Sequence, residues 1–267
     1  MKVSGKVIVV TGAANGMGKE LVLQLLKKGA SVAAIDLRQE SLQALAEECG
    51  PSAKLSLHVC NITNHAAVKA LPEAVVKAHG QVDGVINNAG IIQPFVRINE
   101  LDFQAIERVM HVNFYGLVYM TKAFLPYLLK RPEAHVVNTS SMGGFLPVPG
   151  QSVYGASKAA VKLFTEGLRS ELLDTAVRVT IVFPGAIGTN IAQNSGVGAT
   201  LAVSDAEQSK FKMLPADKAA AIILQAMERN AYRVLVGSDA KFMDFLYRLH
   251  PKFAAEFIYK QMKTLLK

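Results

Sequence analysis

An α/β protein built on one doubly wound sheet of seven parallel strands, with helices on both faces, is what the 267-residue sequence predicts. Three observations carry this. Seven short runs rich in Val and Ile are apolar without alternation, as strands covered on both faces are. Amphipathic stretches with leucines at helical spacing lie between them. The first run passes straight into a glycine-rich turn and then a helix, TGAANGMGKE at 11–20.

The strands are expected at KVIVVT (6–11), SVAAID (31–36), LSLHVC (55–60), VDGVIN (82–87), HVVNTS (135–140), VRVTIVF (177–183) and RVLVG (233–237). Between the first two, GKELVLQLLKKG (18–29) repeats Leu21, Leu25 and Leu26 at helical spacing and ends at Gly29, a common helix stop. No linker, internal repeat or low-complexity segment breaks the alternation, so residues 1–267 read as a single Rossmann-type domain. Two stretches depart from the rhythm. Residues 185–213 are rich in Gly, Ser and Ala without periodicity, long for a connection, and read as a substrate loop or lid. Residues 239–267 place Phe242, Phe245, Leu246, Leu249, Phe253 and Phe257 at helical spacing around Pro251, which predicts two short amphipathic helices.

Composition narrows the function. No apolar run reaches membrane-spanning length and the N-terminal one is too short for a signal peptide, so a cytoplasmic protein is expected. Cys49 and Cys60 are too few for a disulfide framework and read as packing residues in a reducing compartment. The six histidines lack metal-binding spacing, so no metal site is expected. The net charge is +8, but residues 241–267 hold six Lys/Arg against two acids and leave the body only mildly basic. No basic run is interleaved with aromatics, which argues against a nucleic-acid partner. The basic tail reads first as subunit packing or docking on the domain, and second as peripheral membrane contact.

The glycine-rich turn suits a dinucleotide. Gly12, Gly16 and Gly18 allow a tight turn and a close approach of pyrophosphate, and the following helix offers unpaired N–H groups to that anion. The spacing is not the strict GxGxxG, and Gly18-Lys19 fails as an ATPase phosphate loop because Glu20 stands where Ser or Thr must hold magnesium. The second strand ends at Asp36, 18 residues past Gly18, where a carboxylate accepts from the adenosine ribose hydroxyls and repels a 2′-phosphate. Its bland reading is a cap on the next helix. NAD is therefore the expected cofactor. Arg38, which would grip a 2′-phosphate, keeps NADP as the alternative; Asn15 adds no second cation.

Hydride exchange at a secondary alcohol or ketone needs a group that moves the hydroxyl proton. In VYGASKAA (153–160) Tyr154 and Lys158 share one helical face, one turn apart. The same spacing recurs in YKQMK (259–263), so spacing alone identifies nothing. A nearby ammonium and the positive oxidised nicotinamide both favour phenolate, and a shift of two or three units asks for about 3–4 kcal/mol. Ser141, after the fifth strand, stands where open α/β sheets place ligands, and its hydroxyl is available to the substrate oxygen. Asn113 is expected to fix a water or a backbone group behind the lysine.

Together these pieces resemble the short-chain dehydrogenase/reductase family in its roughly 250-residue form. TGAANGMG (11–18) matches TGxxxGxG, and NNAG (87–90), Asn113, Ser141, Tyr154, Lys158 and the Pro184-Gly185 turn follow in the family's order, with Thr189 beyond. The resemblance spans residues 6 to about 190. It implies that Tyr154 is the acid/base, that Lys158 lowers its pKa and binds the nicotinamide ribose, that Ser141 orients substrate, and that Asn113 completes a proton relay. The implied cofactor contacts are Gly12, Asn15, Gly16, Met17 and Gly18 in the turn, then Asp36, Leu37, Asn61 and Ile62. Asn88, Ala89 and Gly90 join them, with Tyr154, Lys158, Pro184, Gly185, Ile187 and Thr189. One departure stands out: the family's usual aspartate near the adenine is Asn61, whose amide oxygen still accepts a hydrogen bond. A homodimer or homotetramer is implied as well.

Two rival readings are weaker. GASKA (155–159) has Ser157 where a hydrolase elbow would, without the final glycine or a preceding strand. A non-catalytic nucleotide-binding protein on the same fold would have lost the proton-transfer residues, and all four are present. Phe95, Phe145, Leu146 and Val148 border the expected cleft and point to an apolar secondary alcohol or ketone, unless they are ordinary loop packing. A 3-oxoacyl group on a carrier or CoA is the alternative, drawn by the basic surface.

Overall fold

The computed structural model describes residues 1–51, 53–197 and 213–266. Seven parallel strands form the sheet: β1 (Val7–Thr11), β2 (Ser31–Asp36), β3 (Leu55–Val59), β4 (Gly84–Asn87), β5 (Ala134–Thr139), β6 (Val177–Pro184) and β7 (Arg233–Val236). Their order across the sheet is β3-β2-β1-β4-β5-β6-β7. The chain steps outward from β1 to β3 and then returns to begin the other half at β4. The β1–β4 seam is therefore the switch point, and a crevice opens there at the carboxyl ends.

Both faces of the sheet are covered, which explains the unbroken apolar runs. On one face Leu21 and Leu25 of α1 (Gly16–Lys27) and Leu42 and Leu45 of α2 (Gln39–Cys49) pack with Ile8, Val10 and Val32 of the strands. Val68 and Val75 of α3 (His65–His79) cover Val9, Ile35 and Val85 on the other face, beyond which Phe124 and Leu128 lie buried. Helix α1 starts two residues before the expected Gly18, because Gly16 and Met17 already form its first turn.

From Phe103 to Leu128 the chain runs as one continuous helix with a fault in its middle. Helix α4 (Phe103–Met110) passes into a π-helical turn at His111–Gly116 and then into α5 (Leu117–Leu128). Helix α6 (Ser152–Glu171) carries Tyr154 and Lys158. Helix α7 (Ala216–Glu228) precedes β7, and the tail forms α8 (Ser238–Leu249) and α9 (Pro251–Met262), the two amphipathic helices expected from sequence. Of the expected lid, residues 198–212 lie outside the described residues. Its beginning forms a short helical turn at Ile191–Asn194, and Ile187 pairs with Leu214 at its far end.

Candidate active site

The crevice at the switch point is a cleft of about 290 Å³. Its floor is the turn after β1, locked to the turn after β4. Thr11 Oγ1 accepts from the backbone N–H of Asn88 at 3.0 Å and of Ala89 at 3.1 Å, while Asn88 Nδ2 donates to the Thr11 carbonyl at 3.1 Å. Gly12 and Gly16 take left-handed conformations, with φ of 63° and 51°, which side chains disfavour. Gly18 is required for a different reason: a Cβ there would overlap the Gly12 carbonyl oxygen. The first turn of α1 holds no acidic residue, and its N-cap Asn15 makes no side-chain cap bond. No acidic side chain or side-chain cap competes for its N–H groups, so the cradle fits a dinucleotide pyrophosphate.

Most of the sequence-derived cofactor set meets in this cleft: Gly12, Asn15, Gly16 and Met17, then Asp36, Leu37, Asn61 and Ile62, then Asn88, Ala89, Gly90 and Thr189. Gly18, Tyr154, Lys158, Pro184, Gly185 and Ile187 do not line it. Gly18 instead sets the approach of helix to turn, and Gly185 is packed against the Asp239 carboxylate, which accepts from Ala186 N at 2.6 Å. Asp239 sits in the first turn of α8, so the tail holds the Pro184-Gly185 turn in place. Sequence reasoning missed that link, and it missed Cys60, which borders the cleft as well as packing. Asp36 receives Ala14 N at 3.0 Å and Leu37 N at 2.8 Å, and Arg38 reaches across to donate to Asn194 Oδ1 at 3.1 Å.

Beyond Gly90 the cleft gives way to a buried polar cluster. A Cβ on Gly90 would lie 3.1 Å from Lys158 Nζ and 3.3 Å from Asn113 Oδ1. Asn113 projects from the π-helical turn, fully buried, and clasps Ile91 from both sides: Oδ1 accepts from Ile91 N at 2.8 Å and Nδ2 donates to Ile91 O at 2.9 Å. The expectation of a backbone group held by Asn113 thus corresponds to Ile91. The same Nδ2 donates to Ser157 Oγ at 3.0 Å, and Ser157 donates to the Tyr154 carbonyl at 2.7 Å. Ser157 is fully buried and committed to these bonds, which leaves no hydrolase nucleophile at the GASKA segment.

Lys158 is only 3% exposed, and its Nζ donates to the Thr139 carbonyl at 3.0 Å. Burial lowers its pKa from the usual 10.5 to about 8. The ammonium lies 5.9 Å from the centre of the Tyr154 ring. Burial raises the Tyr154 phenol above its ordinary value, and a hydrogen bond from Ser141 works in the opposite direction. Ser141 Oγ also accepts from Gly143 N at 3.1 Å, which leaves the hydroxyl proton to be donated.

The start of α6 is held by a residue that sequence reasoning did not single out. Gln93 is buried, and its Oε1 accepts from both Val153 N and Tyr154 N at 2.9 Å. Its Nε2 donates to the Gly150 carbonyl at 3.0 Å, while Gln151 donates back to the Gln93 carbonyl at 2.8 Å. Gln151, at the N-cap, makes no cap bond of its own. That missing local cap is the only signal of a remote one.

Of the four residues expected at the cleft rim, Phe145, Leu146 and Val148 line a second cavity beside Gly143 and Gly155, and two of the four also serve in packing. Leu146 is buried with Met243, Ala254 and Ile258 of the tail, and the Phe145 ring lies against Phe183 at 5.6 Å. Phe95 and Val148 stay half-buried. Among the described residues there is no cluster of His, Cys, Asp and Glu that could hold a metal.

The short chain dehydrogenase family model matches residues 6–199. SadH of Mycobacterium tuberculosis is 38% identical over 257 residues, covering 92% of this chain and 91% of that one. The 3-oxoacyl-[acyl-carrier-protein] reductase FabG of Thermotoga maritima is 38% identical over 196 residues, 72% of this chain and 78% of that one. Among solved structures, a short chain dehydrogenase/reductase from Burkholderia phymatum in complex with NAD superposes with a TM-score of 0.82 at 25% identity, covering 93% of this chain and 96% of that one. A short chain dehydrogenase from Burkholderia cenocepacia in complex with NADP gives 0.81 at 28%, covering 97% and 99%. The chain belongs to the short-chain dehydrogenase/reductase family, oxidoreductases of CH–OH groups that use NAD(P).

The depressed Lys158 pKa sets a pH dependence. The unfolded chain, with the ordinary value, binds more protons between about pH 8 and 10.5, so the stability attached to this residue rises with pH across that window. Below it, a buried charge is a cost. Lys158→Met is expected to be more stable than the parent at pH 7, by on the order of 2–3 kcal/mol, with the gap closing toward pH 10. Urea denaturation at both pH values measures it, and a gap independent of pH would contradict a buried ammonium.

Proposed function

We propose that the protein interconverts a secondary alcohol and a ketone with NAD, Tyr154 being the acid/base. The observation that carries this is one cluster: the Tyr154 phenol with Ser141 beside it, and the buried Lys158 ammonium, next to Gly90 where the cleft ends. When bound, the nicotinamide supplies the hydride donor or acceptor. The protein's own groups handle the proton and the geometry.

In the reducing direction Tyr154 Oη gives its proton to the carbonyl oxygen as the carbon gains hydride, leaving a phenolate; oxidation reverses this. Ser141 Oγ donates to the same oxygen and fixes it within reach of the phenol. Lys158 stabilises the phenolate and would hold the nicotinamide ribose through its remaining donors. Asn113 acts one step back, fixing Ile91 and, through Ser157, the first turn of α6. Burial alone opposes the phenolate, so the positive charges around Tyr154 must outweigh it.

NAD is the preferred cofactor in this reading. The Asp36 carboxylate lines the cleft, where it would accept from the adenosine ribose and repel a 2′-phosphate, and Arg38 is engaged by Asn194. The substrate is an apolar alcohol or ketone, supported by half-buried Phe95 and Val148 beside the site. The likeness to a 3-oxoacyl carrier reductase supports a second reading, in which the ketone is a carrier- or CoA-linked 3-oxoacyl group. The active form is a homodimer or homotetramer working in the cytoplasm, as the family resemblance and the absence of a membrane-spanning helix among the described residues support.

A screen of secondary alcohols and ketones, followed at the reduced-nicotinamide absorbance with each cofactor, tests the reading. Tyr154→Phe is expected to lower kcat by about a thousandfold or more while NAD affinity stays within a few-fold; substantial residual turnover would remove Tyr154 from this role. Asp36→Ala is expected to narrow the preference for NAD over NADP by at least about tenfold, roughly the worth of one charged contact. Tighter NADP than NAD binding in the parent would reverse the assignment.

A further inference from the structure

The tail helices use only one face to hold the body. Met243, Ala254 and Ile258 are buried with Leu146. Apolar residues continue round to the side that no described residue covers: Phe242 is 55% exposed, Phe245 63%, Leu249 56% and Phe253 56%. Phe242, Phe245 and Leu249 form one stripe along α8. Phe242 and Phe253 each approach the Phe257 ring, with centroids 6.4 Å apart, so the stripe continues onto α9. A groove of about 410 Å³ between Leu249, His250, Pro251, Lys252, Phe253 and Glu256 opens at the bend between the helices.

The charge around this patch is predominantly positive. Lys241, Lys252 and Lys260 are exposed beside it. The acids of the two helices are mostly occupied: Asp239 by Ala186 N, and Asp244 by Arg233 and Arg248, which leaves Glu256. Phenylalanines ringed by lysines suit a surface that is apolar beneath and anionic at its edge. A second copy meeting the patch about a two-fold axis would bring like charges face to face. A span across the bilayer is ruled out for these helices, because none of the described ones is long and apolar enough.

We propose that the exposed face of α8 and α9 docks the protein peripherally on an anionic lipid surface, with the Phe rings at the acyl boundary and the lysines at the phosphates. This contact is independent of the catalytic reading and adds a site outside the cleft.

The test is co-sedimentation of the full chain with phosphatidylcholine vesicles, with and without phosphatidylglycerol, beside light scattering for subunit number. The expected result is pelleting with the anionic vesicles that salt reverses. The pair Phe245→Ser/Phe253→Ser should lower partitioning at least about tenfold, and Lys241→Gln/Lys252→Gln roughly fivefold per cation, each with unchanged subunit number. If the phenylalanine pair fails to fold, as judged by circular dichroism, the lysine pair carries the test alone. Three results would overturn the proposal: a full chain that stays in solution with anionic vesicles, equal recovery on neutral vesicles, or variants that change subunit number, which would place a second copy on the patch.

Discussion

A buried ammonium is the constraint around which the centre of this molecule is built. Lys158 points inward from α6 to the Thr139 carbonyl at the end of β5, and three features around it set its place. Gly90 has no side chain because one would crowd Nζ. A Cβ at Gly144 would lie 2.9 Å from the Lys158 carbonyl oxygen, so the loop after β5 can approach the helix only with glycine there. Ser140 donates to that same carbonyl at 2.7 Å and ties helix to strand. A neutral side chain would pack at this position without the desolvation cost, so the retention of a charge points to function, as strained or costly groups in clefts commonly do.

The phenol and the lysine shift in opposite senses for one reason. Each is disfavoured in its charged form by burial, which raises Tyr154 and lowers Lys158. The proposed chemistry needs the pair to be charged together, as phenolate and ammonium, a state that each member makes easier for the other. Asn113, Ser157 and Gln93 keep the geometry fixed, so that little reorganisation accompanies the proton's movement.

Much of the fold was legible because the information was local. KVIVVT and SVAAID read as buried strands and form β1 and β2 almost to the residue, since strands covered on both faces need no alternation. The dinucleotide turn and the Tyr154–Lys158 spacing were legible for the same reason. The π-helical turn at His111–Gly116 was not, because it is sustained by Asn113 reaching Ile91, a partner distant in sequence. Gln93 capping α6 and Asp239 bracing the Pro184-Gly185 turn left no local trace either. Phe145 and Leu146 border a cavity in the loop beyond Ser141, and only the packing of α8 and α9 reveals that the tail also holds them. The YKQMK match in the tail shows the limit of spacing: Tyr259 lies on α9, half exposed, and borders a cavity beside Gly143 and Gly155, while Lys263 falls in the short helical turn after α9.

The central claim is that Tyr154 moves the substrate's proton, held high by burial in the protein alone and brought down by positive charge when the oxidised cofactor binds. Ultraviolet difference titration of the parent against Tyr154→Phe, with and without NAD, measures this phenol directly. The account predicts ionisation above the ordinary tyrosine value without NAD and a fall with it. A phenol already ionising near neutrality in the protein alone, or one indifferent to NAD, would contradict it.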